Sequence, residues 1–129
     1  MIWSVGDELN DVNRTIGPVD MVAYAGATWD WHRLHHDHGY AVSIGLDRPV
    51  VDGQALAAYL SSQAIDSLGP GAFIRKMEIR YRSPVFSGET IRCVGRVVAI
   101  EPQRIDLEQQ VLVADRVAAT SRSVVSFQV

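Results

Sequence analysis

The spacing of apolar residues changes near the middle of the chain. Up to Leu68 they tend to recur every three or four positions, which is the spacing of one face of a helix. After Gly71 they alternate with polar residues, as in strands that bury one face. The pattern therefore predicts a helical first half, opened by a short strand within residues 8–16, and a strand-rich second half.

The clearest predicted helix runs from Gly53 to Leu68. Its apolar stripe has helical spacing and consists of Leu56, Tyr59, Leu60, Ala64, Ile65 and Leu68. Asp52 is placed to cap the first turn, and Gly69 with Pro70 would end the last one. Shorter helical segments are predicted over residues 19–28 and around residues 40–44. We expect a helix as apolar as 53–68 to be largely surrounded by other structure.

Four strands are predicted after this helix. Their alternating apolar positions are Met77 to Tyr81, Ile91 to Val97, Ile105 to Val113, and Val117 to Phe127. Turn residues separate them at 83–88, 101–102 and 114–115. One long apolar helix beside a strand meander predicts a single α+β domain, residues 1–129, with an antiparallel sheet curled around a long central helix.

Composition narrows the possible functions. The chain has 129 residues, of which 47% are hydrophobic and 21% charged, as is typical of a soluble globular protein. The net charge of −3 gives no general attraction to nucleic acid or to an anionic membrane. Cys93 is the sole cysteine, so no internal disulfide can form, and we expect it to be buried and inert. With no apparent signal peptide or membrane-spanning run, the sequence predicts a cytoplasmic protein.

The candidate chemistry is concentrated in residues 24–41, YAGATWDWHRLHHDHGYA. This segment holds all four histidines, His32, His35, His36 and His38, together with Asp30 and Asp37. Unpaired polar groups are costly to bury, so a segment with this many histidines and acids is poorly suited to a hydrophobic core. Imidazole and carboxylate groups are well suited to proton transfer near neutral pH.

Three motifs resemble those of the MaoC-like hydratases and dehydratases. Asp30, Leu34, His35, Asp37 and Ala41 follow the family pattern Asp-x-Asn-Pro-(Ile/Leu)-His-x-Asp, with Ala four residues later. Residues 45–53 resemble its Gly-Leu-x-x-Pro-Val-x-His-Gly element, and residues 84–90 its Pro-Val-x-x-Gly-Glu-Thr turn. The chain departs from the pattern at His32 and Arg33, where Asn and Pro are usual. A third departure is Asp52, which replaces the usual His before Gly53.

The resemblance implies a hotdog fold and a defined reaction. Such enzymes hydrate trans-2-enoyl thioesters of coenzyme A or an acyl carrier to (R)-3-hydroxyacyl thioesters, or run the reverse dehydration. It implies that Asp30 and His35 act on one water as an acid/base pair, with no metal or redox cofactor. Five residues apart, the two do not share a helix face, so they must converge through a loop. The amide of Gly53, at a helix N-terminus, is suitably placed to polarise the thioester carbonyl.

Several interpretations remain open at this stage. His32, Asp52, Arg80 and Arg82 are candidate substrate-binding residues, although the arginines equally fit a solvated strand face. Asp52 is expected to point away from the oxyanion and cap the helix. A hotdog thioesterase using Asp52, a non-catalytic partner subunit, and a metal site in the histidine-rich segment are the competing hypotheses. We expect a homodimer, or a heteromer with a second hotdog chain.

Overall fold

The helices and strands follow the order that the apolar pattern predicts. The computed structural model describes residues 2–127. The helical elements are α1 (Pro18–Thr28), a 3₁₀ turn (Arg33–His35), α2 (His38–Ser43) and α3 (Gly53–Leu68). The strands are β1 (Val12–Thr15), β2 (Ala72–Tyr81), β3 (Thr90–Glu101), β4 (Arg104–Val113) and β5 (Arg116–Phe127). None of the helices in this part of the chain is both long and apolar enough to cross a bilayer.

The strands form one antiparallel sheet in the order β1-β3-β4-β5-β2. The turns after β3 and β4 are tight, and Gln103 and Ala114 take positive φ in them. Ile105, Leu107 and Val111 of β4 are fully buried, as their alternation predicts. The α+β class is thus confirmed. The first strand is shorter than residues 8–16, because Glu8 makes only an isolated bridge to Arg96.

Helix α3 lies against the sheet and contacts β2, β3 and β4. It begins and ends at the predicted residues, and Asp52 caps it by accepting a hydrogen bond from the Gln54 amide at 2.9 Å. Leu56, Leu60 and Ala64 are buried as expected, but Ile65 is 36% exposed. The predicted stripe was wrong at Ile65, because the sheet covers the neighbouring side of the helix, where Gln63 is buried instead.

Gln63 ties α3 to the sheet through buried hydrogen bonds. Its Nε2 donates to the carbonyls of Asn10 (2.9 Å) and Cys93 (3.0 Å), and its Oε1 accepts from Gln109 Nε2 at 3.0 Å. The same Gln109 nitrogen also donates to the carbonyl of Leu60, at 2.8 Å. Each buried group needs its partner, since an unsatisfied one costs about 1–3 kcal/mol. This cross-link therefore fixes the position of α3 over the sheet.

We expect Gln63→Ala to lower the free energy of unfolding by about 2–4 kcal/mol, because it leaves a cavity and several buried polar groups without partners. The matched control is Gln54→Ala, on the same helix but exposed, where the change should stay within about 0.5 kcal/mol. Urea denaturation of both variants measures the difference. Equal midpoints would show that the buried amide contributes nothing to α3 docking.

Candidate active site

A cavity of about 350 Å³ lies between α1 and α3. Most of its wall is apolar and includes Met21, Ala25, Val51 and Ala55. The polar groups on the wall include Asp30, His35 and Asp52, which lie close together. Ligand pockets in proteins typically have this combination of an apolar wall and a few convergent polar groups.

The end of α1 brings Asp30 to the cavity. Trp29 adopts the left-handed conformation at φ 58° and ψ 30°, and the amides of Trp29 and Asp30 both donate to the carbonyl of Ala25. The chain then turns through the 3₁₀ segment, whose first amides have no acceptor within the turn. His32 provides an acceptor for one of them, since its Nδ1 accepts from the Leu34 amide at 3.0 Å. Asp30 and His35 thus converge through a loop, as their spacing predicts.

His35 is held in one orientation by a backbone carbonyl. Its Nδ1 lies 2.7 Å from the carbonyl oxygen of Val50. A carbonyl only accepts hydrogen bonds, so Nδ1 carries a proton and donates it. Nε2 is left facing the cavity, 3.9 Å from Oδ2 of Asp52, and 16% of the His35 side chain is exposed. The ring is therefore positioned to exchange a proton at Nε2.

Asp52 has two different oxygens. Oδ1 caps α3, as expected, whereas Oδ2 is buried and has no hydrogen-bond partner among residues 2–127. One side-chain atom each of Asp30, His35 and Asp52 lies within 4.8 Å of the other two. The expectation that Asp52 points away from the site is wrong for Oδ2, because capping uses only one oxygen of a carboxyl group.

The two carboxyl groups differ in electrostatic environment. Burial, followed by the neighbouring Asp30 carboxyl group, raises the pKa of Asp52 above its usual value. The neighbouring Asp52 carboxyl group, followed by the hydrogen bond from the His32 amide, lowers the pKa of Asp30. Asp30 is therefore the carboxyl group of the pair that ionises first.

Gly53 places an unpaired backbone amide at the start of α3. The first amides of a helix have no intrahelical acceptor, and within residues 2–127 the Gly53 N–H has no partner. The Tyr81 hydroxyl donates to the Gly53 carbonyl at 2.8 Å, and the Tyr81 ring lies 3.0 Å from where a Cβ would stand. Glycine thus lets the tyrosine pack against the helix start.

Sequence reasoning missed Tyr81 and Tyr24 as site residues. Tyr24 lines the cavity and, like Tyr81, lies near Asp52. Burial comes first and the Asp52 charge second among the effects that raise the pKa of each phenol, so both stay neutral at physiological pH. Tyr24 is the first residue of the histidine-rich segment and lies one helical turn before Thr28. Its place in that segment was the signal in the sequence that could have identified it as a site residue.

The structure does not bring the other predicted substrate-binding residues to this cavity. Arg80 and Arg82 line a separate groove of about 570 Å³ along the sheet, together with Arg96 and Glu108, and this groove shares no residue with the cavity. The two arginines therefore do not line the cavity of Asp30 and His35, and their predicted contact with substrate stays a prediction. His32 lies outside the cavity wall and caps the 3₁₀ turn.

The remaining candidate ligands and nucleophiles have structural roles. Asp37 caps α2 by accepting from the Tyr40 amide at 3.0 Å, and a His36 ring nitrogen lies 3.0 Å from the Trp31 carbonyl oxygen. Cys93 is buried, and burial raises the pKa of its thiol to about 11, which fits the predicted inert residue. Within residues 2–127, the only three possible metal ligands that lie close together are Asp30, His35 and Asp52, and His32, His36 and His38 join no such group.

Comparisons with known proteins identify the family of the chain. The family model described as "MaoC like domain" matches residues 4–122. A mitochondrial 3-hydroxyacyl-[acyl-carrier-protein] dehydratase of Arabidopsis thaliana is 31% identical over 99 residues, which cover 77% of this chain but only 58% of that protein. An (R)-specific enoyl-CoA hydratase of Aeromonas caviae is 26% identical, over 72% of this chain and 70% of the hydratase.

Solved structures establish the fold. The structure of an (R)-hydratase from A. caviae superposes with a TM-score of 0.93 at 24% identity and covers 98% of both chains. The ChsH1-ChsH2 complex from Mycobacterium tuberculosis gives 0.92 at 24% identity, over 97% of this chain and 98% of that one. The sheet order, the long helix and the family match lead to one conclusion: the chain is a hotdog-fold member of the MaoC-like domain family.

Proposed function

We propose that this chain hydrates trans-2-enoyl thioesters of coenzyme A or an acyl carrier protein to (R)-3-hydroxyacyl thioesters, or catalyses the reverse dehydration. The observation that carries the proposal is the convergence of Asp30 and His35 on the wall of a largely apolar cavity. The names of the relatives from A. thaliana and A. caviae, a dehydratase and a hydratase, support the same chemistry.

The reaction adds one water across the Cα=Cβ bond. A water held between Asp30 and Nε2 of His35 attacks Cβ as the base of the pair accepts its proton. The acid delivers a proton to Cα, so that the C=C bond becomes a single bond and no electron carrier is needed. The lowered pKa of Asp30 keeps it ionised and suits it to be the base. His35 would then act as the imidazolium: Nδ1–H stays hydrogen-bonded to the Val50 carbonyl, and the second proton, on Nε2, goes to Cα. The proton that Asp30 accepts from the water restores the imidazolium for the next turnover.

The Gly53 amide completes the proposed site. Addition at Cβ pushes electrons onto the thioester oxygen, which becomes enolate-like and needs a hydrogen-bond donor. The unpaired N–H at the start of α3 is such a donor, and the positive end of the helix dipole favours the same charge. Met21, Ala25 and Ala55 line the apolar wall that would accept the acyl chain.

A spectrophotometric screen tests the function. We expect the purified chain to consume the enoyl chromophore of crotonyl-, octenoyl- or steroid-type enoyl-CoA without releasing free thiol. Dialysis against EDTA should leave the rate unchanged, because neither proton transfer requires a metal. Thiol release without loss of the alkene would instead establish the thioesterase alternative, for which Asp52 is the candidate carboxylate.

The assembly of the chain is the second part of the proposal, and the same activity screen tests it. We propose a homodimer, because the outer edge of β2 is unpaired among the described strands and its Phe73 and Tyr81 are each 51% exposed. A heteromer is the alternative, supported by a M. tuberculosis relative named as a hydratase beta subunit, 28% identical over 74% of this chain. Activity that appears only with a second hotdog chain would favour the heteromer. The cytoplasmic location stays a prediction from the sequence.

A further inference from the structure

The buried Oδ2 of Asp52 requires an explanation that helix capping does not give. It has no hydrogen-bond donor within residues 2–127, and only 12% of the Asp52 side chain is exposed. An ionised oxygen in that position would be costly, since its hydration is lost and nothing replaces it. Polar groups close to it include the Asp30 carboxyl group and Nε2 of His35.

We propose that Asp52 is a positioning residue that holds a proton between its own carboxyl group and that of Asp30, and thereby keeps Asp30 ionised and aimed at the substrate water. The proton sits on Oδ2 of Asp52 and is donated to a carboxylate oxygen of Asp30. This inference rests on the proposed hydratase function for its catalytic consequence, but the shared proton itself is argued from the buried, unpartnered Oδ2 and the proximity of the two carboxyl groups.

The surroundings of Asp52 favour this arrangement over two ionised carboxylates. Atoms of the two carboxyl groups lie within 4.8 Å of each other. Two negative charges that close repel each other, so a proton between them is favoured. Asp52 carries it because it is more buried, while Asp30 also accepts from the His32 amide at 3.5 Å. His35 lies too far for a direct hydrogen bond, at 3.9 Å. The facing phenols, Tyr24 and Tyr81, are neutral.

Two substitutions separate proton sharing from capping. Asp52→Asn keeps the helix cap and retains a donor that reaches Asp30, whereas Asp52→Ser keeps the cap but is too short to reach it. Loss of the donor should raise the pKa of Asp30. The acid limb of the pH profile for hydration should therefore move to higher pH in Asp52→Ser and stay in place in Asp52→Asn. We expect kcat of Asp52→Ser to fall on the order of tenfold below that of Asp52→Asn.

Titration of ¹³Cγ-labelled aspartates by NMR tests the shared proton without any assay of activity. The wild type should show one carboxyl group titrating above the ordinary aspartate range and one below it. Asp52→Asn should remove the titration that lies above the ordinary range, and Asp30→Asn should move that titration to lower pH. The exposed Asp66→Asn should change neither of the two titrations.

Ordinary titration of both groups, or an acid limb that moves to lower pH in Asp52→Ser, would overturn the inference, since either result means that Asp52 is ionised. If the chain proves not to be a hydratase, the NMR titration still decides the question, so the two failures are distinguishable.

Discussion

Asp30→Asn and His35→Ala each lower kcat for enoyl-thioester hydration by about 10²–10⁴-fold, the range expected when a general acid or base is removed. The amide of Asn cannot accept the water proton, and Ala leaves no group opposite it. The two side chains share one cavity and one proposed water, so the double variant should lose little more than the worse single variant. The initial rate at which the enoyl absorbance is lost measures kcat for the two single variants and the double variant.

Two exposed residues of the same types provide controls. Asp47→Asn and His38→Ala change the same functional groups at exposed positions outside the cavity, and their rates should match the wild type. Unchanged folding, shown by the thermal midpoint of each variant, separates lost chemistry from lost structure. Full turnover in either Asp30→Asn or His35→Ala would remove that residue from the mechanism.

Gly53→Pro lowers kcat by about 10²–10³-fold if its amide stabilises the enolate oxygen, the size seen when one oxyanion donor is removed. Proline deletes the N–H group and is well tolerated at the first position of a helix. The preceding residue already suits proline, since Asp52 has φ −58° and ψ 128°. The backbone can therefore keep its course while the donor disappears.

Gly53→Ala is the matched control for the added bulk. A Cβ at this position meets the Tyr81 ring at 3.0 Å in either variant, so tyrosine displacement is common to both, while alanine keeps the N–H group. The ratio of the two kcat values isolates the amide. Equal kcat values for the Pro and Ala variants would show that the Gly53 amide takes no part in the reaction.

The spacing of apolar residues and the capping residues predicted the features that depend on neighbouring residues in the sequence. The bounds of α3 follow from its apolar stripe between the Asp52 cap and Gly69, and both ends lie where the sequence places them. Alternation likewise predicted which side of β4 is buried. The meeting of Asp30 and His35 needed the family motif, because the left-handed Trp29 and the 3₁₀ turn that join them have no periodic signal.

Arg80 and Arg82 flank Tyr81, whose ring reaches Gly53, so strand alternation directs the two arginines away from the cavity. Tertiary placement decided the remaining points. Gln63 is polar by composition, and only the sheet packed over it makes it a buried cross-link. Asp52 was interpreted from its cap alone, although its second oxygen remained free to face His35.

The stereochemistry of hydration in deuterated water tests the central claim most directly. If Asp30 and His35 hold one water on one face of the alkene, the hydroxyl group at C3 and the deuterium at C2 must enter from that same face. We expect a single product with syn geometry and R configuration at C3, identified by NMR after chiral derivatisation. Anti addition, or a mixture of configurations at C3, would contradict a single water held between the two groups.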